Sequence, residues 1–454
     1  MIRYVSCVCL LLFALSPSGV LTQTVLQVRD PGIVAMLEEI SPDSIDRNIR
    51  TLVQFHTRHS LSTTSDPRRG IGAAARWIKS EFERYARASN GRMKVEFDTF
   101  LVEPDGRRIP RPVKMKNVLA ILRGTDSADD RIILVSGHYD SRASNPLDST
   151  GFAPGANDDA SGTAVVMELA RVMSKRSFPA TIIFAAVAGE EQGLYGSRHL
   201  ARRAQQEGWH LIAMITNDIV GNTVSSGTGL KDNLHVRVFS EGVPAAESEA
   251  QKRLRERIGG ENDSPARQLA RYIKEVGERY VDQMTVVMIY RRDRFLRGGD
   301  HTPFSRLGFT AVRITEMNEN YHHQHQDVRE EQGIQYGDLP EFVDVDYAAQ
   351  VARINLATLA NLALAPGQPL DVGIVVQRLT NDTTLRWSPP KQGKPHGYYV
   401  LMRETTSPVW QHKRFVQDTT VTLPYSKDNY FFAVQSVDAE GHESLPVFPV
   451  PIRR

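Results

Sequence analysis

The chain has 454 residues, 41% of them hydrophobic, enough for one large domain with a packed core and a smaller one beside it. Its 55 basic and 53 acidic side chains nearly cancel, and no long basic run occurs. The apolar content excludes a disordered chain, and the charge balance argues against the cationic footprint of a protein that binds nucleic acid or an anionic membrane.

The N-terminus reads MIRYVSCVCLLLFALSPSGVLTQ: Arg3, an apolar run from about Tyr4 to Leu15, then small and polar residues suited to a signal peptidase. Residues 1–22 are therefore expected to be a secretory signal. The run is short for the ~20 residues of a membrane span, and none is expected after cleavage. The segment contains Cys7 and Cys9, the only cysteines. The expected mature protein, secreted or periplasmic, has no disulfide and rests on its core. Any metal it binds must be held by His, Asp and Glu.

Residues from about 30 to 90 predict polar-faced helices, as in SIDRNIRTLVQF and AAARWIKSEFERYA. Short apolar runs then alternate with helical stretches. The predicted strands are 116–122, 131–137, 181–189, 211–218 and 310–315; the predicted helices are 161–173, about 195–207 and roughly 341–364. Continuous β-branched runs separated by amphipathic helices indicate strands buried on both faces, hence an α/β domain over 30–366 with a mostly parallel sheet flanked by helices. A polar segment between about 222 and 264 breaks the rhythm. It is expected to be an insertion over one sheet edge with a strand at 234–240, either a lid or a surface excursion. Residues 370–454 carry short alternating strands and predict an all-β sandwich. Their Trp387 strand, the Tyr398/Tyr399 strand and YFFAVQSVDAEGHES resemble a fibronectin type III module. No binding motif there identifies a partner for this β-module.

Polar clusters stand where the strands end. His138 and Asp140 lie in GHYD, Asp158 and Asp159 in GANDDASG, Glu190 and Glu191 in AGEEQG, and Asp218 in TND; His322, His323, His325 and Asp327 lie in NYHHQHQD. C-terminal strand ends of an open parallel sheet share one edge, so these residues converge there. Carboxylates so close would raise one another's pKa unless a cation neutralised them. Imidazole plus carboxylate without thiolate suits zinc at a catalytic site, and the donor set is large enough for two ions sharing a bridge. No G-x-S-x-G elbow supports a covalent nucleophile instead.

SGHYDS, GANDDASG, AGEEQGLYGS, TNDIVGN, GGDHTPFSRLG and NYHHQHQD, in this order, resemble the M28 family of di-zinc peptidases, mainly aminopeptidases, over about residues 90–365. The resemblance implies two Zn²⁺ ions bridged by Asp158. His138 and Asp218 would complete one ion's protein ligands, and Glu191 with a C-terminal histidine the other's. A His four residues before an Asp selects His323; a Tyr directly before the ligand would select His322. Glu190 would be the general base for a metal-bridging hydroxide and Tyr321 a donor to the oxyanion. Asp140 would orient His138, unless it only forms a turn. Asp159 reads as charge at a helix N-terminus. Asp300 and His301 line a substrate pocket or form a helix cap and an ordinary His. Side-chain preference is expected to draw on 222–264 and on 289–304.

The resulting expectation is an exported zinc exopeptidase that removes N-terminal residues from peptides or proteins. A carboxypeptidase or dipeptidase of the same family is the alternative. A non-catalytic receptor ectodomain is disfavoured because each ligand position and Glu190 are filled.

Overall fold

The computed structural model describes residues 29–377 and 379–453; the expected signal segment lies outside them. Eight strands form the main sheet: β1 (Met93–Val102), β2 (Val113–Leu122), β3 (Arg131–His138), β4 (Thr181–Val187), β5 (His210–Asn217), β6 (His235–Phe239), β7 (Thr285–Ile289) and β8 (Ala311–Glu316). Their order is β1-β2-β4-β3-β5-β8-β6-β7. The centre, β4-β3-β5-β8, is parallel, while β1, β2 and β4 pair antiparallel and β6 runs antiparallel to β8. Ile133, Leu134 and Val135, and Ile182 through Ala186, are buried on both faces, as central parallel strands require.

Eight of the nine α-helices among the described residues flank the sheet. On one face pack α1 (Pro31–Glu38), α2 (Pro42–Gln54), α3 (Gly70–Ala86), α4 (Gly162–Met173), α7 (Pro265–Tyr280) and α9 (Val345–Leu364). On the other lie α5 (Tyr195–Gln206) and α8 (His301–Arg306), which bury Leu200, Ala201 and Phe304. The polar helix α6 (Glu249–Ile258) has no buried residue. Local sequence sets several starts: Pro265 follows the Ser264 cap of α7, and Asp344 caps α9 through the Tyr347 amide. Gly137 lets the α4 N-terminus approach β3, since a Cβ there would lie 2.5 Å from Gly162 backbone.

Within the segment at 222–264, the strand β6 hydrogen-bonds to both β8 and β7, so this part extends the sheet. After the β9–β10 hairpin (Arg329–Glu331, Ile334–Tyr336) and α9, the chain forms a seven-stranded β-module. One sheet holds β11 (Leu370–Val375), β12 (Thr383–Ser388), β15 (Thr420–Leu423) and β17 (Val450–Ile452). The other holds β13 (Gly397–Glu404), β14 (His412–Val416) and β16 (Tyr430–Val437). Val372, Leu385, Trp387, Tyr398, Val400 and Phe432 share one core between them. No helix among the described residues is long and apolar enough to cross a membrane.

Candidate metal centre

The parallel centre of the sheet brings four of the predicted clusters to one edge. His138 is the last residue of β3, and Asp218 directly follows β5. Glu190 and Glu191 stand in a turn beyond β4, closed by Gly193 N–H donating to the Glu190 carbonyl at 2.8 Å. Asp158 lies in the irregular turn between β3 and α4, and its peptide bond to Asp159 is cis.

Two donor groups share Asp158. In the first, His138 Nε2 is 3.2 Å from Asp158 Oδ1 and 3.7 Å from Asp218 Oδ1. In the second, His325 Nε2 is 2.9 Å from Asp158 Oδ2 and 3.0 Å from Glu191 Oε1. Tetrahedral zinc with donors about 2.0–2.1 Å away spaces those donors by about 3.3 Å, so both groups fit the ion. Asp158, with one oxygen toward each group, fits the bridging position.

His325 occupies the place expected for His323 or His322. His323 is turned away and stacks on Phe342, ring centroids 3.8 Å apart, and burial with His322 nearby lowers its pKa to about 4. His322 packs against Tyr336. The reason lies in the loop. His323 and Gln324 amides both bond the Asn320 carbonyl, and His325 adopts a left-handed φ of 55°, which redirects the chain. The four-residue spacing to Asp327 therefore does not identify the donor. Between the two histidines, Gln324 Nε2 donates to Asp158 Oδ2 at 3.0 Å.

The surrounding groups hold the donors by their backbones. Asp159 is fully buried and accepts from the amides of His138, Gly162 and Ile219 at 2.8–3.2 Å, tying β3, α4 and the end of β5 together. Asp338 accepts from the amides of Asn157 and Asp158 at 2.7–3.0 Å. Arg58 donates to the carbonyls of Tyr139, Pro154 and Gly155 at 2.6–2.8 Å, clamping the loops that carry His138 and Asp158. Asp140 faces His138 Nδ1 with its backbone carbonyl at 3.2 Å and its carboxylate at 3.7 Å, and the carboxylate also accepts from the Glu190 and Glu191 amides, each at 3.2 Å.

Burial alone would lower the His138 pKa, but Asp140, Asp158, Asp159 and Asp218 hold it well above its ordinary value. His325 is likewise lifted to about 10 by Glu191 and Asp158 against burial. Glu190 is pushed well above the usual carboxylate range by burial, with Asp218, Glu191 and Asp300 adding to the rise. Arg313, fully buried within β8, pairs with Asp218 at 2.9 Å. An arginine inside an apolar strand was a legible signal of a buried anion. Asp338 and Arg58 lie in no motif and gave none.

A cleft of about 740 Å³ opens over Asp158, Glu190, Glu191, Asp218 and His325. Its walls include Arg108, Arg142, Leu194, Arg294, Leu296, Arg297 and Tyr321. Tyr321 is 57% exposed on this wall. Residues 289–304 contribute as expected, whereas no residue of 222–264 lines the cleft. Asp300 and His301 do not line it either. Asp300 is 1% exposed, and burial raises its pKa to about 7. His301 Nε2 lies 2.8 Å from the Arg292 carbonyl.

An open α/β sheet with imidazole and carboxylate donors gathered at its strand ends defines a metal-dependent hydrolase. Residues 117–345 match the family described as Peptidase family M28. A probable zinc metalloprotease of Leptosphaeria maculans is 49% identical over 92% of this chain and 97% of its own. One from Pyrenophora teres f. teres is 47% identical over 96% of this chain and 90% of its own. The chain belongs to peptidase family M28 and is a zinc metallopeptidase. Among solved structures, the LapA aminopeptidase of Legionella pneumophila aligns with TM-score 0.51 and 20% identity, covering 73% of this chain and 74% of LapA. The aminopeptidase from Aneurinibacillus sp. strain AM-1 gives TM-score 0.51 and 15% identity, covering 73% of this chain and 96% of that one. At these identities the likeness is one of fold.

Proposed function

We propose that the protein is an exported aminopeptidase that holds two zinc ions: one at His138, Asp158 and Asp218, the other at Asp158, Glu191 and His325. The observation carrying this reading is the sharing of Asp158 by two donor groups at the floor of an open cleft that also presents Glu190. The aminopeptidases of similar fold support it, and so does the signal-like N-terminus. The fibronectin type III-like reading of residues 370–454 stands as part of the same proposal.

When bound, zinc supplies Lewis-acid polarisation of the scissile carbonyl and acidifies the attacking water. Glu190 makes no ion pair among the described residues, so its carboxylate is free to take the water's proton and pass it to the leaving amine. Asp140 fixes Glu190 through its amide, leaving the side chain directed by the turn. The acidic wall formed by Glu190 and Asp218 receives the substrate's α-ammonium group. Tyr321, on the same cleft, is the candidate O–H donor to the tetrahedral oxyanion.

The test is a panel of aminoacyl chromogenic substrates and their N-acetylated counterparts, assayed with and without chelator, alongside Glu190→Gln. The variant is expected to keep its zinc and lose about 10²–10⁴-fold in kcat. Retained turnover in that variant rejects Glu190 as proton carrier. Equal cleavage of acetylated substrates rejects the aminopeptidase.

A further inference from the structure

Arg142 is an exception among the arginines buried around the metal centre. It follows β3 by four residues, and its side chain is 13% exposed. Its Nε lies 3.6 Å from Glu191 Oε2, beyond hydrogen-bond distance, and is buried without a partner; the guanidinium has no hydrogen bond among the described residues. The neighbouring arginines are committed. Arg58 binds backbone carbonyls, Arg313 binds Asp218, and Arg294 divides its donors among Asp293, Glu319 and the Gly298 carbonyl. Arg297 is held by Glu319 at 2.8 Å.

A guanidinium carries five N–H donors in a planar fork that matches a carboxylate, and leaving the buried Nε–H of Arg142 unused is costly. Arg142 lines the cleft, so its fork is available to a ligand there. Arg108 stands on the same wall and uses one N–H on the Glu191 carbonyl. The two donor groups flank the shared Asp158: Asp218 lies in one, and Glu191, with the unbonded Arg142 fork beside it, in the other. A substrate whose ammonium group points to Asp218 and Glu190 directs its leaving-group side toward Arg142. With about 3.5 Å of extended chain per residue, an anion there sits one or two residues beyond the cleaved bond.

We propose that Arg142, with Arg108 beside it, anchors a substrate carboxylate on the leaving-group side, so that the preferred peptides carry an anionic group within two residues downstream of the scissile bond. This inference rests on the aminopeptidase reading above. The carboxylate is either the C-terminus of a short peptide or an acidic side chain.

The test compares kcat/KM of the zinc-loaded enzyme within two pairs: Leu-Gly against Leu-Gly-NH₂, and Leu-Glu-NH₂ against Leu-Gln-NH₂. A charge-assisted hydrogen bond corresponds to about ten- to hundred-fold discrimination, and the pair that shows it identifies the source. The ratio is expected to collapse toward unity in Arg142→Gln and to persist in part in Arg142→Lys, with zinc content measured for each. Ratios near unity for both pairs in the unaltered enzyme, or an unchanged ratio in Arg142→Gln, overturn the anchor. The same pairs are titrated calorimetrically into zinc-loaded Glu190→Gln protein, so that the anchor is read without turnover. Discrimination in binding with no hydrolysis of any substrate supports the anchor and rejects the aminopeptidase; binding without discrimination overturns the anchor alone. Should Arg142→Gln fail to fold, the unaltered enzyme and Arg142→Lys decide by the same ratios.

Discussion

Two buried charge clusters in this protein are built on opposite principles. At the seam between α7 and the β-module, Arg279 and Lys413 pair with Glu443 at 2.9 and 2.6 Å, and Lys413 also with Glu275 at 2.6 Å. Arg271 and Arg403 converge on Asp263 at 2.8 and 2.6 Å. Protein cations answer each of these carboxylates. At the metal centre, Asp140, Asp158, Asp159, Glu190, Glu191 and Asp218 crowd together. Among the described residues, the cations within ion-pair distance of any of them are Arg313, Arg142 and the imidazoles of His138 and His325, fewer than the carboxylates. A balanced cluster is structural cement; an unbalanced one of similar burial needs cations from solution.

The comparison breaks first at the seam. Glu443→Ala leaves the buried Arg279 and Lys413 sharing Glu275 alone and is expected to cost about 3 kcal/mol, the lower end of the loss when a buried charge loses its partner. Denaturant unfolding of the zinc-loaded protein should show that loss while kcat of the folded enzyme stays within about two-fold. A comparable loss of kcat would mean that the module shapes the active site.

At the centre, His325→Ala should weaken zinc binding by at least about 100-fold, whereas His323→Ala should leave zinc affinity nearly unchanged. Competition with a chelator of known affinity measures both. The opposite ranking would return the ligand to His323.

Asp338→Asn touches the centre only through the Asn157 and Asp158 amides. It should cost about 10–100-fold in metal affinity, as removal of groups that hold ligands commonly does. Little change would mean that Arg58 and Asp159 position Asp158 without it.

The smallest effect concerns pH. Burial would raise the Glu443 pKa, but Lys413 and Arg279 outweigh it and hold it below 4.5. A carboxylate depressed on folding contributes stability that is present above its unfolded pKa of about 4.3 and is lost as pH falls through the folded value. Glu443→Gln should therefore flatten the acid limb of the stability curve below about pH 4.5. An unchanged limb would place acid sensitivity elsewhere.

The amino-acid sequence alone determined the parallel centre of the sheet and most of its chemistry. His138, Asp158, Glu190, Glu191 and Asp218 are adjacent to strand ends or strand-following turns. A parallel strand buried on both faces announces itself by an unbroken apolar run, and parallel pairing then puts all those ends on one edge. Tertiary structure alone decided the rest. His325 rather than His323 faces Asp158 because an irregular loop has no side-chain period to read, and a left-handed residue resets its direction. The holding roles of Arg58 and Asp338 and the lack of a hydrogen bond at Arg142 depend on chain segments up to 181 residues apart coming together, and no local pattern encodes that.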